Sequence, residues 1–109
     1  MAEALKVLGQ ANPSAATLTD LYTVPSSYST TVSTVAICNR TQTSKKIRVS
    51  VAVGGASDSP EQYIMYDVLL LKNDFIFVTI GITLAATDVV RVYTDVAGVS
   101  FSLYGVEVS

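Results

Sequence analysis

Apolar and polar residues alternate over short stretches of this chain, and no stretch shows the 3.6-residue spacing of an amphipathic helix. The clearest alternation lies in residues 46–53. Because successive side chains of a strand point to opposite sides, this pattern predicts a strand with one aliphatic face. The positions predicted to share that face are Ile47, Val49, Val51 and Val53.

Residues 62–93 have the densest β-branched and aromatic content of the chain, which is typical of strands on half-buried sheet surfaces. The pattern predicts three strands, at residues 62–71, 75–82 and 89–93, joined by short turns. Both alternating faces of the first strand are apolar. We therefore expect this three-strand unit to form the core of the domain, with part of it buried on both sides and one side covered by another subunit.

Further strands are predicted at residues 15–24, 30–38 and 99–108, and turn signals recur at roughly 8–12-residue spacing. The predicted fold class is all-β. It is a single-domain antiparallel β-sandwich of jelly-roll-like form, with seven to eight strands and an N-terminal arm. In the last strand, Gly105 is expected to mark a bulge. That bulge would turn the side chains of Val106 and Val108 inward.

We assign residues 1–14 to an N-terminal arm and residues 15–109 to the β-sandwich domain. The arm contains the apolar residues Leu5, Val7 and Leu8, followed by an Asn-Pro turn. It is expected to be either a short first strand or an extension that lies on a neighbouring subunit. The N-terminus lacks the features of a secretory signal, and no apolar run reaches the roughly 18 residues of a spanning helix, so no membrane partner is expected.

The composition combines many apolar residues with few charges. Of 109 residues, 50% are hydrophobic and 15% are charged, whereas about 25% are charged in typical soluble domains. We expect the surplus apolar surface to face a partner or further copies of the chain, so a homo-oligomer is predicted. The net charge of −2 disfavours nucleic acid as a partner, since nucleic-acid binding needs a basic face.

The chain has no histidine and one cysteine, Cys38. Without histidine, Ser-His and Cys-His nucleophile pairs and the commonest metal ligand are excluded. Cys38 lies in an apolar stretch and is predicted to be a small buried residue. The acidic residues lie near predicted turns and are interpreted as turn formers and caps of strand ends. We therefore expect no catalytic residue, no cofactor, no metal site and no enzymatic activity.

Two groups of polar and aromatic residues are candidates for partner contacts. The basic residues Arg40, Lys45, Lys46 and Arg48 are predicted to lie at one end of a hairpin, either as an anchor on an acidic partner or as solvated protection of an edge strand. Among six tyrosines, Tyr28 is predicted at an exposed tip. Tyr63 and Tyr66 are predicted on opposite faces of one strand. The tyrosines are expected in the core, at a subunit interface, or as a platform for a glycan.

Five stretches together resemble a family of small tailed-bacteriophage virion proteins: LGQANPSAATLTDLYTVP, STVAICNR, YIMYDV, GITLAATDVVRVY and VSFSLYGVEVS. The resemblance covers nearly the whole chain. It implies a structural virion component that is made in the host cytoplasm, has no catalytic residues, and has the major capsid protein or other virion proteins as partners. A capsid decoration (cement) protein is the first expectation. The alternatives are a tail, baseplate or fibre component and a module that binds a host-surface glycan.

Overall fold

The computed structural model describes residues 3–109, and eight strands account for most of them. The strands are β1 (Glu3–Ala11), β2 (Thr19–Thr23), β3 (Ser29–Asn39), β4 (Lys45–Ala52), β5 (Tyr63–Leu70), β6 (Phe75–Leu84), β7 (Val89–Thr94) and β8 (Val99–Val108). Two 3-10 helices of three residues each, Val53–Gly55 and Pro60–Gln62, lie between β4 and β5. Neither of these helices, within the described residues, could cross a membrane.

The strands form two antiparallel sheets of four strands each. Sheet A has the order β1-β8-β3-β6, and sheet B has the order β2-β7-β4-β5. Both sheets contribute fully buried side chains to one apolar core, for example Phe101 and Ile37 from sheet A and Ile47 and Val92 from sheet B. The radius of gyration is 13.6 Å, close to the ~13 Å of a compact domain of this size. The predicted all-β, single-domain fold is therefore confirmed, with eight strands.

Residues 3–11 form a strand of the domain, which is one of the two alternatives that the sequence left open. β1 pairs with β8 along its length and is one edge strand of sheet A. It also closes this side of the domain against sheet B. A methyl group placed on Gly9 would clash with the backbone carbonyl of Leu21 in β2. β1 and β2 therefore approach each other closely at this edge.

The three strands of residues 62–93 exist, but they do not form the predicted three-strand unit. β5 is an edge strand of sheet B, β6 is an edge strand of sheet A, and β7 lies inside sheet B between β2 and β4. Of the three strands, only β7 is largely buried. The turns cross from one sheet to the other, and a short turn has the same sequence signals whether it joins two strands of one sheet or of two sheets. The prediction that this unit forms the core was therefore wrong for β5 and β6.

The expected change of phase at Gly105 was also wrong. β8 alternates without interruption, so Gly105 and Glu107 face inward and Val106 and Val108 face outward. The bulges lie in the neighbouring strands instead, between Val7 and Gly9 and between Val32 and Thr34. Gly105 is required for close approach, because a Cβ atom there would clash with the backbone carbonyl of Thr31.

The aliphatic face predicted for residues 46–53 is present at three of its four positions. Ile47 and Val49 are fully buried, but Val53 is 74% exposed and already belongs to a 3-10 helix. The register of β4 against β5 shifts between Val49 and Ser50. The extra residue of this irregularity lies in β5, so β4 keeps its alternation, and Val51 is half-buried and packs against the core.

Candidate protein interface and aromatic groove

Large apolar side chains are exposed mainly along the edge formed by β5, β6 and the turn between them. We call this region the β5–β6 surface; it comprises Ile64, Val68, Leu69, Leu71, Phe75 and Phe77. Their exposed fractions range from 36% for Val68 to 70% for Phe77. Exposed apolar side chains concentrated at one edge of a domain mark interaction sites more often than single exposed residues do.

The core itself is incompletely covered at this edge. The inward-facing side chains of β6 are only half-buried (Ile76, Val78, Ile80 and Ile82), whereas inward-facing residues of β3 and β8 are fully buried. β6 also contains no charged residue and no proline over its ten residues. Edge strands of soluble proteins are commonly protected by such residues. The β6 edge is therefore available for pairing with another chain.

Cys38 lies beside this surface and is exposed, so its prediction as a buried residue was wrong. The alternation of β3 turns Ile37 and Asn39 inward and Cys38 outward. There it borders a shallow apolar depression of about 410 Å³ together with Phe75 and Phe77, whose ring centroids are 5.7 Å apart. The depression extends the β5–β6 surface onto the outer face of sheet A.

A second, smaller apolar region lies at the opposite edge of sheet A. We call it the β1 patch; it comprises Leu5, Val7, Tyr104 and Val106, which are neighbours in the pairing of β1 with β8. Leu5 is 83% exposed and Val7 is 48% exposed. Leu8, the third apolar residue of the predicted arm, packs against the core instead. Two edges of one domain thus carry exposed apolar side chains.

The four basic residues predicted as a group do not form one cluster. Lys45 is buried and its ammonium group bonds to Thr43. Arg40 donates a hydrogen bond of 2.6 Å to the side chain of Asn12, and Lys46 is exposed. They are separated because adjacent strand residues face opposite sides, and β4 is an inner strand rather than an edge.

Arg48 instead lies in a groove on the outer face of sheet B. Its guanidinium carbon is 4.2 Å from the ring centroid of Tyr66 and 4.4 Å from that of Tyr93. Its Nε donates a 2.7 Å hydrogen bond to Oδ1 of Asp67. This bond raises the pKa of Arg48 and lowers the pKa of Asp67. Arg48 is therefore held in a fixed position as a cation between two aromatic rings.

Tyr63 and Tyr66 lie together on this groove, not on opposite faces as the sequence predicted. Their rings meet edge to face with centroids 5.1 Å apart. The pairing of β5 with β4 shifts between Tyr63 and Met65 and again between Met65 and Val68. These irregularities change the phase of the strand, and a three-residue spacing then no longer places two side chains on opposite faces.

The rim of the groove is acidic and polar. The Tyr63 hydroxyl donates a 2.8 Å hydrogen bond to Asp58, and burial together with this bond raises the pKa of Tyr63. The Ser59 hydroxyl donates a 2.5 Å bond to Glu61 and lowers the pKa of that carboxyl. The groove has a volume of about 540 Å³. Its lining consists of Arg48, Asp58, Ser59, Pro60, Tyr63 and Tyr66.

The remaining predicted tyrosine, Tyr28, lies apart from this groove. It is the last residue of the turn at residues 25–28 and is 38% exposed. Its backbone N–H bonds to the carbonyl of Pro25 at 3.2 Å. Tyr28 is therefore at a surface turn, as the sequence predicted, but it has no part in the aromatic groove.

A buried polar network that the sequence did not suggest lies at the closed edge of the domain. Glu107 receives a 2.6 Å hydrogen bond from Tyr22 and forms a 2.6 Å ion pair with Lys6. The Tyr22 hydroxyl also lies 2.7 Å from that of Thr30. The bonds from Lys6 and Tyr22 lower the pKa of Glu107, and burial followed by the bond to Glu107 raises the pKa of Tyr22 to about 12. The network joins β8 to β1, β2 and β3.

Several other carboxylates cap turns, as their sequence positions predict. Asp88 accepts the backbone N–H groups of Gly54 and Ala85, and Asp95 accepts those of Lys46 and Val96. Within residues 3–109, no three histidine, cysteine or acidic side chains are placed to hold a metal ion. No protein-family model matches the chain, and no curated protein matches it.

Proposed function

We propose that this protein is a non-catalytic structural component of a tailed-bacteriophage virion, and within that class a capsid decoration protein. The observation that carries the proposal is the pair of exposed apolar regions at opposite edges of one small domain, the β5–β6 surface and the β1 patch. A subunit of a particle contacts at least two neighbours, and apolar surface on two sides supplies both contacts.

The strand order adds support of a weaker kind. An eight-stranded arrangement of β1-β8-β3-β6 against β2-β7-β4-β5 is the order of a jelly roll, and this architecture occurs in viral capsid proteins and in lectins. A shared architecture does not establish a shared function. The ordered resemblance of five sequence stretches to small virion proteins favours the first of these two classes.

The partner that we propose for the β5–β6 surface is a second copy of this chain. An edge strand without charges can pair with its own copy across a two-fold axis without bringing like charges together. The β1 patch then remains free for the particle shell. Its residues lie on β1 and β8. Deletion of residues 1–14 would remove β1 from sheet A, so point substitutions that keep both strands are the better test of this patch.

The experiment is to locate the protein on intact particles by electron cryomicroscopy and to measure its occupancy there. Density over the capsid lattice is expected. The double substitution Leu5→Ser and Val7→Ser is expected to lower occupancy severalfold, because both side chains are exposed and are not needed for the core. The double substitution Val53→Ser and Val96→Ser removes comparable exposed surface elsewhere and is the matched control.

Absence of the protein from purified particles would contradict the proposal. Density on the tail, baseplate or fibre would instead support the second candidate, a structural component of those assemblies. Unchanged occupancy of the Leu5 and Val7 variant would retain the virion role but exclude the β1 patch as the contact with the shell.

A further inference from the structure

We propose that the aromatic groove of sheet B binds a neutral carbohydrate, with one sugar ring stacked on Tyr66 and its hydroxyl groups bound by Arg48 and Asp58. The groove is distinct from the β5–β6 surface and the β1 patch. The proposal therefore does not depend on where the protein lies in a particle, and it adds a ligand-binding activity to a structural role.

Tyr66 provides the flat surface for the sugar. Its ring is part of a side chain that is 58% exposed, yet the ring is held by the edge of Tyr63 and by Arg48. A ring that is already fixed loses little conformational entropy when a ligand packs on it. The C–H groups on one face of a pyranose pack on such an aromatic ring.

Hydrogen-bonding groups beside this ring remain available. Arg48 uses its Nε for Asp67, and its two terminal nitrogens make no hydrogen bond to any residue of 3–109. Asp58 uses one oxygen for the Tyr63 hydroxyl. Each hydroxyl group of a sugar can both donate and accept a hydrogen bond. Two neighbouring hydroxyl groups can therefore accept from the arginine N–H groups and donate to the adjacent carboxylate.

The charges of the groove favour a neutral ligand. Three carboxylates, of Asp58, Glu61 and Asp67, lie in or beside the groove with two cations, Arg48 and Lys46, and Lys46 is close enough to contribute to the lowered pKa of Asp67. Phosphate, nucleic acid and acidic sugars would meet net negative charge here. A neutral ligand that is rich in hydroxyl groups carries no charge for these carboxylates to repel.

The backbone around the groove has the irregularity that is common at binding sites. Asp67 has a φ of 53°, in the left-handed region that non-glycine residues rarely occupy. It lies within the irregularity between Met65 and Val68, where the pairing of β5 with β4 shifts. This strain aims the Asp67 carboxylate at Arg48, and strained residues of this kind cluster at ligand sites.

The test is a titration of the isotope-labelled protein, followed by amide chemical shifts, with neutral hexasaccharides of glucose, N-acetylglucosamine, mannose and galactose. At least one is expected to bind saturably with a Kd on the order of 1 mM, with shift changes confined to residues 48, 58–67 and 93. Tyr66→Ala is expected to weaken binding about tenfold or more. Tyr28→Ala removes an exposed tyrosine outside the groove and is expected to bind as the wild type does.

Arg48→Lys provides a second variant if Tyr66→Ala fails to fold. It keeps the charge but loses the planar guanidinium, and about tenfold weaker binding is expected. The proposal would be overturned if none of the four sugars caused a saturable change in the amide chemical shifts of the groove. Equal binding by the wild type and both groove variants would also overturn it, as would stronger binding of glucuronate oligosaccharides than of neutral ones.

Discussion

At the scale of single residues, the stability of the domain depends on polar side chains that the sequence alone places on the surface. Asn39 is buried, and its amide nitrogen donates to the carbonyls of Thr43, Leu70 and Leu71. It thereby ties the end of β3 to the end of β5. Glu107 is also buried and joins β8 to three other strands. Such groups stabilise the fold only while all their partners are present.

We predict that Glu107→Gln lowers the free energy of unfolding at neutral pH by roughly 1–3 kcal/mol, because the buried carboxylate and its ion pair with the half-exposed Lys6 are lost. The pKa of Glu107 in the folded protein lies below its ordinary value of 4.5. The unfolded chain therefore binds more protons in this range, and stability falls as the pH falls below about 4.5. The difference between wild type and variant is expected to shrink over the same range.

Urea unfolding at a series of pH values measures this difference. Glu3→Gln is the control, since it removes a carboxylate from an exposed position of the same sheet. A difference between wild type and Glu107→Gln that stays constant down to about pH 3 would contradict the role assigned to the carboxylate.

At the scale of elements, the packing of the strands depends on positions where two backbones approach so closely that only glycine fits between them. β8 runs between β1 and β3, and both neighbours change register close to Gly105: β3 between the partners of Gly105 and Tyr104, and β1 between the partners of Tyr104 and Leu103. The carbonyl of Thr31 and the side chain of Leu8 occupy the space that a Cβ atom would need. The glycine thus permits the close packing of β8 against both of its neighbours.

We predict that Gly105→Ala destabilises the domain by about 3 kcal/mol or more, because the new methyl group forces two strands apart. Gly81→Ala is the matched control. Gly81 has a φ of 57°, but no atom lies within 4 Å of the position that its new methyl group would take, so only a backbone cost of about 1–2 kcal/mol is expected. Equal losses for the two variants in urea unfolding would show that close approach at Gly105 is not limiting.

At the scale of the whole molecule, the two lateral edges of the domain differ. The β1–β2 edge is closed by close backbone approach and by the Glu107 network. The β5–β6 edge leaves apolar side chains exposed and inward-facing residues of β6 half-buried. The composition anticipates surplus apolar surface, and the structure places most of it on one edge.

We predict that the purified protein is an oligomer held together at β6, and that Ile80→Lys converts it to an 11.5 kDa monomer. A charge that points inward from an edge strand opposes pairing with another strand, and a lysine at this half-buried position can extend its ammonium group to solvent. Light scattering coupled to gel filtration at micromolar concentration measures the mass.

Val53→Lys adds the same charge at an exposed site outside the β5–β6 surface and is expected to leave the oligomer intact. Circular dichroism verifies that both variants are folded. A wild-type protein of 11.5 kDa alone would contradict the predicted self-association.

The alternation of apolar and polar residues determined by itself that the chain is all-β, because a period of two can bury one face only in a strand. It located the strands of residues 62–93. Turn composition located the capping carboxylates Asp88 and Asp95. These features depend on residues near one another in the chain, so the sequence contains the information.

Only the tertiary structure decided which sheet each strand joins and where the irregularities of β5 lie, which bring Tyr63 and Tyr66 together. A short turn reverses the chain whether the next strand lies in the same sheet or in the facing one, and that choice sends β5 and β6 to exposed edges. A bulge moves all later side chains of a strand to the other face. Its position depends on contacts with a partner strand distant in sequence, which local periodicity does not record.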